Sequence, residues 1–268
     1  MRRCEGMLQP WYIKKYDLDT KFKSVEIKFE FDIESLPEGG VTLVGERPER
    51  NEFYVNGIKL NCPNTKDFWI DVAFKKFPVP EGILKLGRNE ITVKTLYKWS
   101  THLEAVYLIG EFGVRAGHKI STLINKRPDK LKMASYAEQD MPFYSGNVTF
   151  KLPYKEYREY ADFAEDERLF LSARFFGAAV RVTDGADLDE IIAWEPYERD
   201  VTEAVRAQRD LEITLLGTRK NTFGPLHTRE CVVHRCGHGS FTTEGEDWVD
   251  EYNLHPDGLR EIRFIAKK

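Results

Sequence analysis

Several things are scarce in this sequence, and each shortage removes a class of protein. Cysteine occurs four times in 268 residues, at Cys4, Cys62, Cys231 and Cys236. Spacing that sparse is not a disulfide framework, so free thiols are expected. No apolar run approaches the length needed to cross a bilayer. The opening stretch, Met1 to Pro10, has two arginines but no apolar core of the kind a secretory leader needs. Charge of one sign is lacking too. The 40 Lys and Arg nearly balance 44 Asp and Glu, and the formal net charge of −4 is spread along the chain. That leaves no electrostatic case for nucleic acid or an anionic membrane as partner. There is no long amphipathic helix of period 3.6. There is also no phosphate-binding glycine loop and no Gly-x-Ser-x-Gly nucleophile turn.

What the chain does have is aromatic residues and short alternating runs. Its 17 Phe, 12 Tyr and 5 Trp are ample for a packed core. Val25 to Phe31 alternates apolar and charged residues, the pattern of a half-buried strand. Phe53-Tyr54-Val55 and Ile58-Lys59-Leu60 flank Asn56-Gly57, the strongest short-range hairpin signal, because both turn residues accept positive φ. The stretch from Phe68 to Val93 organises the first half. It reads as an extended run Phe68–Val72, a loop at Phe77-Pro78-Val79, and a glycine turn in Leu86-Gly87-Arg88-Asn89. A second run follows, with Ile91 and Val93 on one face and Glu90 and Thr92 on the other. A looser copy returns as Trp194-Glu195-Pro196-Tyr197, Asp200-Val201-Thr202 and Asp210 to Leu215.

Two related units in tandem follow from that repetition. Many short strands with regular turn signals imply an all-β chain of two antiparallel β-sandwiches. Residues 1–20 read as an entry segment that Trp11 and Tyr12 pin to the next sheet. Residues 21–118 read as the first sandwich, 119–140 as a linker around the proline-broken Lys126–Lys130, and 141–268 as the second sandwich.

These residues resemble a known family. Tyr144-Ser145-Gly146, Thr183-Asp184-Gly185, Trp194 to Tyr197 with Asp200-Val201-Thr202, and the strand at Leu211 to Leu215 are similar to the sugar-binding, jelly-roll domain of glycoside hydrolase family 2. Val55-Asn56-Gly57, Trp69-Ile70-Asp71, Leu86 to Ile91 and Leu103 to Leu108 resemble the same galactose-binding-like sandwich. As a whole the chain is similar to the C-terminal region of large bacterial glycoside hydrolases of the rhamnosidase-like kind. Two positions depart from the pattern: Thr183-Asp184-Gly185 replaces Val-Asn-Gly, and Gln208-Arg209-Asp210 replaces Gly-Arg-Asn. The resemblance implies two jelly-roll (galactose-binding-like) β-sandwiches that accompany a catalytic barrel in the same parent chain. A helix-wrapped barrel takes about 250 residues, and no such pattern is present. The expected role is therefore a non-catalytic carbohydrate-binding module that holds a plant or microbial oligo- or polysaccharide. The alternative is a pair of sandwiches that brace a catalytic domain or a homodimer without binding sugar.

Sugar recognition wants an aromatic face against the C–H face of a pyranose, with polar groups fixing the hydroxyls. Trp99, in the polar loop Tyr97 to His102, is the leading candidate, with His102 and Glu104 as hydroxyl partners. Trp248 with Tyr252 is a second candidate platform. Trp69 and Trp194 hold equivalent places in the two repeats, which favours a structural role for both. His227, Cys231, His234, Cys236 and His238 are zinc-ligand types, but strand alternation would split them between two faces. Asp184 to Glu190 offers oxygen ligands for a structural calcium without the spacing of an EF-hand, and a solvated turn is the preferred reading. With 44 acids in the chain, chance carboxylate pairs are unavoidable and do not mark a glycosidase couple.

Overall fold

The computed structural model describes residues 10–20, 22–62, 64, 66–99, 101, 103–117, 122–229, 240–241 and 244–268. The chain is mostly β and divides into two compact units. Unit one takes 1–128, 237–245 and 250–252, and unit two takes 129–236, 246–249 and 253–268.

Unit one opens with α1 (Pro10–Lys15). Its strands are β1 (Lys23–Ile33), β2 (Thr42–Glu46), β3 (Asn51–Val55), β4 (Ile58–Lys59), β5 (Phe68–Trp69), β6 (Asp71–Pro78), β7 (Gly87–Tyr97), β8 (Tyr107–Ile109), β9 (Gly113–Ala116) and β10 (Thr122–Asn125). They form a six-stranded sheet in the order β4-β3-β7-β1-β10-β9 and a four-stranded sheet β5-β6-β2-β8. The alternation in Val25 to Phe31 is the in-and-out period of β1, with Glu26, Lys28 and Glu30 exposed and Phe31 and Ile33 buried. Both sheets feed one core: Phe31, Ile33, Phe53, Val55, Ile91 and Val93 from the larger, Leu43 and Phe77 from the smaller. The Phe53 and Phe77 rings meet at 4.5 Å. Gly45 of β2 makes that contact possible, since a Cβ there would come within 2.5 Å of the Phe53 ring.

The motif Val55-Asn56-Gly57 is tied to Leu86-Gly87-Arg88-Asn89 by a carboxamide network. Asn56 and Gly57 turn the β3–β4 hairpin with φ of 48° and 80°, the paired positive values that a type I′ turn requires. That geometry aims the Asn56 Nδ2 at the Asn89 Oδ1 (2.8 Å) and the Ile83 carbonyl (2.8 Å). The Asn56 Oδ1 accepts from the Glu90 amide at 2.9 Å. Asn89 is 1% exposed. Its Nδ2 donates to the Lys85 and Gly87 carbonyls, and its Oδ1 also accepts from the Lys85 amide. Every polar atom of this buried side chain is therefore satisfied, which is what burial of an amide demands.

Three expectations for unit one need correction. Phe68–Val72 is not a single extended run. Ile70, at φ 62°, reverses the chain so that β5 pairs antiparallel with β6, Trp69 opposite Asp71. The expected loop Phe77-Pro78 continues β6 against β2, with Phe77 opposite Leu43. Nor are Trp11 and Tyr12 pinned against a sheet: they are 62% and 38% exposed and meet each other edge to face.

Unit two contains β11 (Val148–Leu152), α2 (Tyr154–Tyr157), β12 (Arg168–Phe176), β13 (Ala179–Thr183), β14 (Asp189–Ile192), β15 (Glu198–Asp200), α3 (Thr202–Arg206), β16 (Leu211–Leu216), α4 (Lys220–Phe223) and β17 (Gly258–Lys267). The sheets run β11-β16-β13-β14 and β15-β12-β17, and Leu169, Leu171, Val180, Val182, Ile213 and Leu215 share their core. The segment read as a linker carries structure: β10 pairs in parallel with β1, and Tyr136 is 2% exposed in the core of unit two.

The loose repeat is physical as well as textual. Gln208 adopts φ 54° where Gly87 has φ 79°. The Asp71 Oδ1 accepts from the amide two residues on, Ala73, at 2.8 Å, and the Asp200 Oδ1 does the same with Thr202 at 2.9 Å. Asp184 takes the turn position of Asn56. Its carboxylate accepts from the Ala186 and Leu188 amides and from Arg209 at 2.8 Å. Burial pushes that carboxyl up, but those donors outweigh it and leave it below the usual carboxylate range.

Replacing Asn89 with Ala should destabilise unit one by about 2–3 kcal/mol, because it leaves Asn56 and the Lys85 backbone short of partners. A lowered urea midpoint at unchanged m-value checks this. Asn56→Ala and Asn89→Ala combined should cost less than the sum of the two, since they remove one shared network.

Candidate functional site

Trp99 stands at the tip of the turn that follows β7. Thr101 braces that turn. Its amide donates to the Lys98 carbonyl at 3.0 Å, its Oγ1 accepts from the Lys98 amide at 3.2 Å, and the same hydroxyl donates to the Leu96 carbonyl at 3.1 Å. A small polar residue is what lets so short a loop close on its own backbone. The indole, 49% exposed, is presented to solvent on a constrained support. Glu104 is exposed on the segment before β8, and His102 lies outside the described residues.

In the smaller sheet of unit one, Trp69, Phe74 and Tyr107 form an aromatic cluster with centroids 5.5–6.1 Å apart. Burial, with the negative charges of Glu104 and Glu46 adding to it, pushes the Tyr107 phenol up to about 12. Trp69 therefore has the structural role that its place in the repeat predicts. Trp194 does not. It is 66% exposed, in the connection between β14 and β15, and Tyr197 three residues on is 43% exposed with its ring edge-to-face against Phe175 at 5.7 Å. The equivalence of the two tryptophans in sequence hides this difference, because only Trp69 has facing aromatics of its own sheet to cover it.

Trp248 is half-buried, with its indole stacked on His227 at 4.7 Å and 29°. The His227 Nδ1 lies 3.2 Å from the Val249 carbonyl, and Thr228 bridges to Trp248 through the backbone. One face of this candidate platform is thus already occupied. Tyr252 belongs to unit one and Trp248 to unit two, so neither unit holds the pair together. Of the histidine–cysteine cluster, Cys231, His234, Cys236 and His238 lie outside the described residues. Cys62 is a free thiol. In the acidic turn, the guanidinium of Arg209 bridges Asp184 and Asp187 at 2.8 and 2.9 Å and supplies the positive charge a cation would bring there.

Asp257 carries a strongly perturbed carboxyl. It is 4% exposed, its Oδ1 has no partner among the described residues, and burial pushes it up to about 6 against a hydrogen bond from the Gly258 amide. No neighbouring carboxylate contributes to that shift, so its setting is unlike the coupled acid pair of a glycosidase.

No protein-family model matches the chain, and no curated protein sequence matches it.

The Asp257 shift has a definite sign. An unfolded aspartate titrates near 3.9, so the folded carboxyl holds its proton more tightly. Its contribution is fully present below about pH 4 and is lost as pH rises through about 6. The loss amounts to about 3 kcal/mol. Thermal melts from pH 4 to 7.5 should show Asp257→Asn gaining on the wild type as pH rises, while parallel profiles would refute the assignment.

Proposed function

We propose that this chain is a non-catalytic carbohydrate-binding segment built of two jelly-roll, galactose-binding-like sandwiches. It holds a plant or microbial polysaccharide for a glycoside hydrolase domain of the same parent chain. The observation that carries this reading is Trp99: a half-exposed indole on a turn whose backbone is fixed by Thr101. A solvent-facing indole on a braced turn suits the C–H face of a pyranose, and a fixed backbone lowers the entropy lost on contact. Trp194 and Tyr197 offer a comparable aromatic surface in unit two. Shallow aromatic platforms of this kind give modest affinity and hold a ligand without transforming it.

The second reading, in which the sandwiches brace a catalytic domain or a homodimer, draws on a different feature. Phe68, Ile70 and Val72 at the β5–β6 edge are 44%, 36% and 67% exposed. Apolar side chains along a sheet edge invite cover by another surface.

Isothermal titration against a panel of neutral plant and bacterial oligosaccharides should find at least one ligand of micromolar to millimolar Kd. Trp99→Ala should weaken it at least about fivefold, with the melting temperature unchanged. Absence of binding to every glycan, together with a dimer by light scattering that Val72→Asp dissociates, would favour the bracing role instead.

A further inference from the structure

The mouth of unit one contains a feature that Trp99 does not explain. A cleft of about 600 Å³ opens between the β3–β4 hairpin and β6, within the size range of small-ligand sites. Leu60 and Phe77, 4% and 2% exposed, form its apolar floor. Arg50, Asn61, Cys62 and Lys75 line its walls.

Lys75 is the unexpected residue. It sits two positions before the buried Phe77 on β6, so it shares the face that Phe77 turns to the core. It is also the cross-strand partner of Gly45, whose missing side chain would point at Phe53. A lysine on the inner face of a sheet, half-buried, needs an anion or a route to water. No ion pair or hydrogen bond of its ammonium occurs among the described residues. The other charges in the cleft differ in how well they are matched. Glu52 is engaged by Lys59 and by the Tyr54 hydroxyl. Arg50 has only a 3.9 Å contact to the exposed Glu49. The Asn61 carboxamide has no partner among the described residues. The open donors of the cleft are thus an ammonium, a guanidinium and an amide above an apolar floor.

We propose that this cleft is a subsite for an acidic sugar, a uronic acid unit whose carboxylate is held by Lys75 and Arg50. The proposal rests on the carbohydrate-binding reading and gives that reading a ligand class. Asn61 serves a ring hydroxyl, and the C–H face of the sugar lies toward Leu60 and Phe77. Because the two cations reach solvent at the mouth, binding weakens as salt rises. The Cys62 thiol lies in the same wall, so a bound sugar shields it from reagents.

The test is calorimetric titration of the full chain with tetragalacturonate and, separately, with neutral oligosaccharides. Labelling of Cys62 by N-ethylmaleimide, read by peptide mass mapping, runs alongside. Tetragalacturonate should bind, and Lys75→Met should weaken it at least tenfold. Lys75→Arg should retain most of the binding, and saturating ligand should slow Cys62 labelling several-fold. Lys75→Met should leave the affinity for any neutral glycan held at Trp99 unchanged. If neutral glycans bind and tetragalacturonate does not, the acidic subsite is wrong and the carbohydrate-binding reading stands. Tetragalacturonate binding that is indifferent to Lys75→Met and leaves Cys62 labelling unchanged also overturns the subsite. If no glycan of either kind binds, both fall.

Discussion

The paired carboxamides of Asn56 and Asn89 are the constraint on which unit one depends. One side chain comes from a hairpin turn in which both residues have positive φ, the other from the start of β7, a central strand of the larger sheet. Their mutual hydrogen bond fixes where β3 begins its return and where β7 enters. β7 pairs antiparallel with β1 over its full length from that entry point, Asn89 lying opposite Phe31. The turn that carries Trp99 is set by where β7 ends. Unit two solves the same problem with charge. Asp184 stands in the turn, Arg209 reaches across to it, and a left-handed Gln208 replaces the glycine. An ion pair with extra backbone donors can substitute for an amide pair because both leave a buried acceptor fully satisfied.

Much of this was legible in the residues, for physical reasons that can be named. A twofold alternation is the period of a strand, so β1, β3, β7, β12, β13, β16 and β17 could be found from pattern alone. Asn-Gly demands its turn. The recurrence of Trp, Asp-Val and the strand after Arg-Asn or Arg-Asp reads as two related units, and in each compact unit of the described residues two sheets share a core. Misreadings came where the backbone does something its residue type disfavours. Ile70 in a left-handed conformation is an uncommon choice for a β-branched residue, and nothing in Phe-Trp-Ile-Asp-Val advertises a reversal. β10 is too short, and too close to a proline, to stand out from a linker.

The candidate sites were less legible, because exposure depends on what the other strands supply. Trp69 and Trp194 look alike in sequence. Phe74 and Tyr107 cover the first, and the second stands 66% exposed. Trp248 has one face covered by His227, which its sequence neighbours do not reveal. Lys75 carries no signal at all in isolation: a lysine in an alternating run reads as an outward residue. Only the inward direction of Phe77 two positions on, and the glycine opposite, reveal that it faces the interior. The charge balance of the acidic turn at Asp184 is equally hidden, since the arginine that pairs with it lies 25 residues away in sequence.

A ligand held by two small, mostly β units must rest on surface aromatics and on the few polar side chains left without internal partners. Amide chemical shifts of the labelled chain, followed while a mixture of neutral and acidic plant oligosaccharides is added, test that directly. Perturbations confined to the Trp99 turn, to the neighbourhood of Trp194 and to the cleft walls at Arg50, Asn61 and Lys75 are the expected result. A spectrum that stays unchanged at millimolar glycan, or shifts only along the Phe68 to Val72 edge on dilution, would contradict the account.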